Sequence, residues 1–475
     1  MMAFQPVFLW SDLFIWLLAV AGIAAGWWSS RQPPLRAAWA RVARNRTGMA
    51  SATLLAAFAL VGLADSLHYR PQLPPKAGDD AAQPVYSVEV LSALDALLTP
   101  LRTKVEKTYS EPLATRAYAK EMIEIREADG TLRTAREYPR LRHGGSHLGA
   151  DEAKAEADIV QHWARALAVG LLLWGLLALL FAGGLARHRR LSLADGWRAL
   201  WQPGREPAWQ AVLLTLGVLA VVVALIAGPA GAYHVFGTDK VGQDVLYQVL
   251  KSIRTALVIG LVTTLVTLPL AVVLGIVAGY FRGWVDDVIQ YLYTTLNSIP
   301  GVLLIAAAVL MMQVLIDTHP QWFSTAAERA DLRLLALCFI LGLTSWTGLA
   351  RLLRGEVLKL RELEYVQAAQ AFGVSDLRII ARHLLPNLMH IVIIALVMDF
   401  SGLVLAEAVL SYVGIGVDPT MISFGTMINN ARMELGREPV VWWSLVAAFV
   451  FMFAMVLAAN LLADAVRDAF DPRMA

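Results

Sequence analysis

Two carboxylates, Asp399 and Glu407, stand within or at the end of an apolar run of the 475-residue chain. An ionisable group at membrane depth costs a few kcal/mol unless a cavity or a partner receives it. Asp399 therefore reads either as part of a path through the membrane, placed to meet an ammonium group, or as a hydrogen-bonded strut to a neighbouring helix. Glu407 reads as a structural group at the outer face. Asp239 and Asp244 lie outside the apolar runs, beside Gly237 and Gly242. Their expected work is structural, capping a short interfacial helix or pairing with a base. His143 and His147 have i,i+4 spacing, but Gly144-Gly145 between them makes a helical metal pair improbable. His390 and Met398 read as packing rather than as metal ligands. Cys338 is the sole cysteine, which excludes an intrachain disulfide and a cysteine-based metal cluster, and its apolar context marks a small packing residue. No lysine follows a glycine anywhere, so the chain has no phosphate-cradling loop and no means of hydrolysing ATP itself.

The most informative polar stretch is the loop 351–387. Residues 364–372 predict a short helix with a small-residue face at Ala368, Ala369 and Ala371, stopped by Gly373 as its left-handed residue. A second helix is expected to start after Ser375, a good N-cap, and to run to about Leu385, where Pro386 ends it and resets the chain direction. A helix-turn-helix held under a membrane offers a rigid knob, and small alanines let it sit deep in a partner's groove.

What must position these residues is a set of membrane helices. Hydrophobic residues make up 57% of the chain and charged residues only 16%, too apolar for a soluble protein of this size. Charge-free runs of about 20 residues, the length that crosses a bilayer, recur throughout. Nine spans are expected, at 13–28, 48–64, 166–186, 209–230, 255–280, 288–316, 334–350, 388–410 and 440–463. Continuous apolar runs exclude a β-barrel, whose strands alternate in polarity. Arg31, Arg36, Arg41, Arg44 and Arg46 without an acid in the first loop, and Arg187, Arg189 and Arg190 after the third span, mark cytoplasmic loops. The N-terminus is then expected outside, and loop 351–387 and the tail with Arg467 and Arg473 inside. The first twelve residues carry no Lys or Arg, which argues against a cleaved signal peptide. A net charge of +2 gives no reason to expect a nucleic-acid partner.

Between Ser66 and Gln161 charges of both signs become dense and apolar runs vanish. This is a soluble insert, expected on the outside; loops beyond about 60 residues translocate regardless of charge. Leu91, Leu94, Leu98, Leu101 and Val105 predict one amphipathic helix, and Ile123 and Ile125 before Asp129-Gly130 predict a hairpin. Such a small α+β unit would either touch an extracytoplasmic partner or pack as a spacer over the mouth of the protein.

With these residues in view, the loop resembles the EAA loop of ABC importer permeases: Glu-Ala-Ala, three residues, Gly, nine residues, Ile, one residue, Leu-Pro. Ala368, Ala369, Gly373, Leu385 and Pro386 fall on that pattern, while Gln367 replaces its Glu and His383 its Ile. Gln keeps hydrogen-bonding capacity without the charge. The segment from His234 through Gly237, Asp239, Gly242 and Asp244, the segment Glu407 to Pro419, and the tail Asn460 to Arg473 resemble dipeptide and oligopeptide permeases in order and distance. Trp39 to Gly48 resembles the basic entry to their first helix, whereas the span before it and the insert are additions.

The resemblance implies an all-α integral membrane protein with a six-helix permease core at 209–475. Ahead of it come N-terminal helices at 1–65, an extracytoplasmic insert at 66–163, and a further helix with a basic loop at 164–208. It implies a non-catalytic permease subunit in the bacterial inner membrane, importing peptides or similar small solutes. The implied partners are a second permease, two ATPases that bind ATP and Mg, and an external solute-binding protein. Glu364, Tyr365, Gln367, Ala368, Ala369, Phe372, Gly373, Leu385 and Pro386 would couple the chain to the ATPases. A secondary transporter would show inverted repeats and several intramembrane acids, and a membrane enzyme a metal or nucleophile constellation. The sequence offers neither.

Overall fold

The fold was obtained as a computed structural model, described here for residues 4–73, 85–126, 132–149, 151–201, 207–323 and 325–470. The chain opens with strand β1 (Phe4–Val7), the long helix α1 (Trp10–Arg31), the basic helix α2 (Pro33–Arg44) and α3 (Arg46–Asp65). The insert follows with β2 (His68–Pro71), β3 (Leu91–Ser92), α4 (Ala93–Leu97), α5 (Thr99–Thr103) and the strands β4 (Glu121–Arg126) and β5 (Leu132–Glu137). Then come α6 (Ala155–Arg189), α7 (Leu193–Trp201) and α8 (Trp209–Ala230), and the core helices α9 (Val245–Phe281), α10 (Gly283–Ser298), α11 (Gly301–Thr318) and α12 (Ala326–Arg361). The last group is α13 (Glu364–Ala371), α14 (Asp376–Ile379), α15 (Leu385–Tyr412), α16 (Phe424–Glu434) and α17 (Trp443–Phe470). Among the described residues, nine helical segments are long and apolar enough to cross a membrane, and they coincide with the nine expected regions.

Three expectations are corrected in detail. The apolar run 288–316 is not one helix: it divides into α10 and α11 at Ile299-Pro300, where the proline has no N–H to continue the ladder. The pattern from Leu91 to Val105 is not one helix either. Leu91 lies in β3, and α4 gives way to α5 at Leu98, with Pro100 in the first turn of the new helix. Of the two roles expected of Asp244, pairing with a basic residue is met by His234, but the helix it caps is not short and interfacial: it is α9, whose 37 residues reach about 55 Å, well beyond a bilayer core of about 30 Å. The hairpin is present, with Ile123 opposite Ala135 and Ile125 opposite Arg133. Its Asp129-Gly130 turn lies outside the described residues, as does Arg473.

The core is built on α9 packed along α12. Gly275 and Gly279, four apart on one face of α9, bring the backbones close: an added Cβ at Gly275 would lie 2.7 Å from the Ala350 carbonyl oxygen, and one at Gly279 2.7 Å from Val357 Cβ. Small residues at this spacing let membrane helices associate where apolar burial gives no driving force. Helices α15, α16 and α17 close around the other side of α9, and Cys338 of α12 packs fully buried against α9.

Helix α1 is tied into this core by charge. Asp12 Oδ1 accepts from Arg254 Nη2 at 2.5 Å and Nε at 3.1 Å, and its Oδ2 lies 2.7 Å from His68 Nδ1. Arg254 Nη2 also donates to Ser11 Oγ at 2.6 Å, and the Ser11 N–H and hydroxyl both donate to Asp331 on α12. Strand β1 pairs antiparallel with β2, so the segment before α1 shares a sheet with the insert. Helix α2 lays Ala38 and Val42 against Val466, Ala469 and Phe470 of α17, and Trp39 meets Phe470 edge-on at 5.4 Å.

Candidate functional site

Loop 351–387 forms a compact knob at one end of the core. Helix α12 stops at Glu362, and after one residue α13 begins. Its end is a complete Schellman motif: the Val374 N–H bonds the Ala369 carbonyl at 3.1 Å, and the Gly373 N–H bonds that of Gln370 at 2.9 Å. Gly373 has φ +72°, the left-handed conformation expected of it.

The knob is held by a buried side and presents an exposed one. Val366, Ile379 and Leu384 are completely buried, packed with Leu353, Val357 and Leu388. Each such side chain contributes about 1.5–3 kcal/mol. Polar contacts lock the same side: the Tyr280 hydroxyl donates to Asp376 Oδ1 at 2.7 Å and accepts from Gln370 Nε2 at 3.3 Å, and Arg361 Nη1 donates to the Tyr280 carbonyl at 2.6 Å. Nearby, Arg354 forks onto both oxygens of Asp286 at 2.6 Å, joining α12 to α10. On the opposite side Phe372 is 87% exposed, Leu377 78% and Tyr365 44%, with Ala368 also exposed and Ala369 half-buried. Glu364 is exposed as well. Gln367 turns its amide back to Glu362, donating to the carbonyl oxygen at 3.3 Å, so it works within the knob.

Pro386 does not end the helix as expected. The chain passes from α14 through a π-helical turn at Ile380–Leu384 directly into α15, with Pro386 in its first turn. The wider turn accommodates the missing N–H, and Asn387 Nδ2 donates to the His383 carbonyl oxygen at 2.6 Å and to the Tyr365 hydroxyl at 3.1 Å. The His383 ring lies 6.0 Å from that of Tyr365. Ser375 makes no side-chain cap. Leu385 is half-buried and Pro386 exposed.

The acids and glycines of segment 234–244 sit at the other end of the core, against the insert. Asp244 caps α9, accepting from the N–H groups of Leu246 at 2.8 Å and Tyr247 at 3.3 Å, while its other oxygen lies 2.8 Å from His234 Nδ1. Asp239 accepts from the N–H groups of Val241 and Gln243 and from Gln248 Nε2. His234 Nε2 faces Glu106 of the insert at 3.4 Å. Burial opposes the His234 charge, but its two carboxylate partners outweigh it and lift the imidazole to about 9. Burial likewise works against the Glu106 carboxylate, yet hydrogen bonds from His234 and the N–H groups of Arg142, His143 and Gly144 pull it down to about 2. Gly242, at φ +77°, leaves room for the insert: a Cβ there would fall 1.9 Å from the Glu106 carbonyl oxygen. At Gly237 it would fall 2.4 Å from that of Ser110.

Glu407 is buried and accepts from Ser411 Oγ at 2.6 Å and Ser423 Oγ at 3.0 Å, joining α15 to the start of α16. Asp399 is half-buried on α15, and no hydrogen bond or ion pair reaches it from the described residues. His390 is half-buried and Met398 exposed. Sequence reasoning missed the residues that hold the two ends together, chiefly Tyr280, Asp376, Glu106, His234 and Arg254. Arg254 carried a usable signal, a cation at the edge of an apolar run, but its partner Asp12 is 242 positions away.

Comparison with known proteins agrees with this layout. Residues 271–475 match the family described as "Binding-protein-dependent transport system inner membrane component". The glutathione transport system permease protein GsiD of Pectobacterium atrosepticum is 32% identical over 308 residues, spanning 60% of this chain and 94% of that protein. The oligopeptide transport system permease protein OppC of Mycobacterium tuberculosis is 32% identical over 244 residues, 51% of this chain and 77% of its own length. The dipeptide transport system permease protein DppC of Bacillus subtilis is 29% identical over 293 residues, 59% of this chain and 85% of its own. This multi-pass membrane chain belongs to the family of binding-protein-dependent transport inner membrane components, on the branch of the ABC importer permeases.

Proposed function

We propose that this chain is a non-catalytic permease subunit of an ATP-driven importer for peptides or similar small solutes, working beside a second permease and above two ATPases that bind ATP and Mg. The observation that carries the reading is the knob: an apolar tip of Tyr365, Phe372 and Leu377 held out from a base whose anchors are fully buried. A knob rigid on one side and greasy on the other transmits a push. ATPase closure would move α13, and α13 would carry α12 and α15 with it, switching the core between inward-open and outward-open.

The positive-inside assignment puts the knob and the C-terminal end of α17 in the cytoplasm of a bacterial inner membrane, and the insert outside. The contacts support one orientation for the whole chain, since the insert, segment 231–244 and the start of α17 meet on one face while Arg282 meets Glu362 and Tyr280 meets Asp376 on the other. The outer face would receive a solute-binding protein. Asp399 belongs to the path, because a half-buried carboxylate within α15 without a partner in the described residues requires one from cargo, water or the second permease.

The test is uptake of a labelled peptide by proteoliposomes holding the complete transporter, with ion gradients collapsed by ionophores. ATP-dependent uptake supports the reading. Uptake driven by a proton or sodium gradient without ATP overturns it.

A further inference from the structure

The outer edge of α6 gathers a group of side chains that neither the knob nor the core uses. His147 comes from the insert, on a 3₁₀ turn at Ser146–Leu148, and Asp158 and His162 lie four apart on the first turns of α6. Asp158 Oδ2 is 2.8 Å from His147 Nε2 and 3.6 Å from His162 Nε2, and the three atoms all lie within 4.8 Å of one another. His143, which the sequence pairs with His147, is not among them.

We propose that His147, Asp158 and His162 form a zinc site that staples the insert to α6. Zinc takes imidazole nitrogen and carboxylate oxygen at about 2.0–2.2 Å in tetrahedral array, so its ligand atoms stand about 3.3 Å apart. The two distances to Asp158 bracket that spacing. A closing rotation of the imidazoles, both partly exposed, completes the triangle, and solvent takes the fourth position.

The surroundings hold the ligands in place. The Tyr233 hydroxyl donates to Asp158 Oδ2 at 2.8 Å, the outer-shell hydrogen bond that orients a metal-binding carboxylate, and the Tyr233 ring meets that of His147 edge-on at 5.6 Å. The turn carrying His147 is fixed by the Gly145 N–H, which bonds the Ala232 carbonyl at 2.9 Å. Gly228 of α8 lets the backbone at His162 approach closely, since a Cβ there would lie 3.0 Å from the His162 carbonyl oxygen. The turn at His147 and the first turns of α6 thus converge on one point, backed by the distant stretch 228–233, with two nitrogens and one oxygen suited to zinc.

The experiment titrates zinc into the full-length chain, purified in detergent with a tag free of histidine, against a chromophoric chelator. Cobalt(II) substitution reports the coordination geometry. The expected result is one zinc ion per chain and a tetrahedral cobalt spectrum, both lost in His147→Ala and in His162→Ala and kept in His143→Ala. Tyr233→Phe should weaken binding about tenfold or more. Among the described residues the His162 side chain makes the long 3.6 Å contact to Asp158 and an edge-on ring contact with His147 at 6.2 Å, so its alanine variant should stay monodisperse. Zinc should slow hydrogen exchange across 141–149 in the wild type and not in that variant. No stoichiometric zinc in the wild type, or zinc retained by the monodisperse His147→Ala/His162→Ala double variant, would overturn the proposal and leave a metal-free ion pair.

Discussion

Raising the pH through 9 should detach the insert from the core at His234. In the folded protein the imidazole is lifted to about 9, from an unfolded value near 6.5, by Asp244 and Glu106. A raised histidine contributes stability that is full below the unfolded value and is lost as pH climbs through the folded one. The shift of about 2.5 units is worth about 3 kcal/mol. Glu106 has the opposite sign: held at about 2 against 4.5, its contribution is present above 4.5 and disappears as pH falls toward 2. The clamp should therefore be tightest between about pH 5 and 6.5, above the unfolded value of Glu106 and below that of His234. The assay is hydrogen exchange of the Arg142, His143 and Gly144 amides, which donate to Glu106 at 2.7–3.1 Å. After correction for intrinsic exchange, their protection should fall by about two orders of magnitude between pH 7 and 10. His234→Gln should start low and stay flat. Protection that is level to pH 10 in the wild type, or a wild-type pH profile in His234→Gln, would refute the clamp.

Two further outcomes follow from the geometry. Gly373 faces open space, so substitutions there test backbone strain alone: Gly373→Asn should retain most ATP-driven uptake, Gly373→Ala should cost roughly 1–2 kcal/mol at the end of α13, and Gly373→Val should uncouple transport while still inserting in the membrane. Asp12→Ala strands the Arg254 charge, 5% exposed, and should lower stability by about 3–5 kcal/mol in thermal unfolding, whereas the double variant Asp12→Leu/Arg254→Met should lose much less. Equal losses in single and double variants would show that the pair does not hold α1 to α9.

The spans and the knob were legible because each is a local pattern: apolar runs of bilayer length, and Ala-Ala, Gly and Leu-Pro at fixed offsets. The break at Ile299-Pro300 was legible in principle, but a proline inside an apolar run is compatible with both a kink and a stop, and only the neighbouring helices decide. Pro386 shows the same ambiguity from the other side. There the π turn and the Asn387 amide carry the helix past a residue that reads as its end. The one helix expected over 91–105 failed because hydrophobic spacing survives a helix break: Leu94 and Leu101 are both buried although their helices part at Leu98, with Pro100 opening the second. Long-range ion pairs left no trace in the pattern. Glu106 met His234, Asp12 met Arg254, and Lys251 met Asp65 and Asp95 only once the chain was folded.

The proposed docking surface for an ATPase is the exposed tip of the knob. Gentle detergent extraction of the tagged chain, followed by mass spectrometry of what remains bound, tests it directly when the wild type is compared with Phe372→Glu and Leu377→Glu. Both side chains project from the knob away from its buried anchors, so the charged variants should fold and insert normally. The wild type should retain a second permease and ATPase subunits, and the variants should keep the permease but lose the ATPases. Variants that hold the ATPases as firmly as the wild type, or a wild-type chain that comes out alone and still moves solute on an ion gradient, would contradict it.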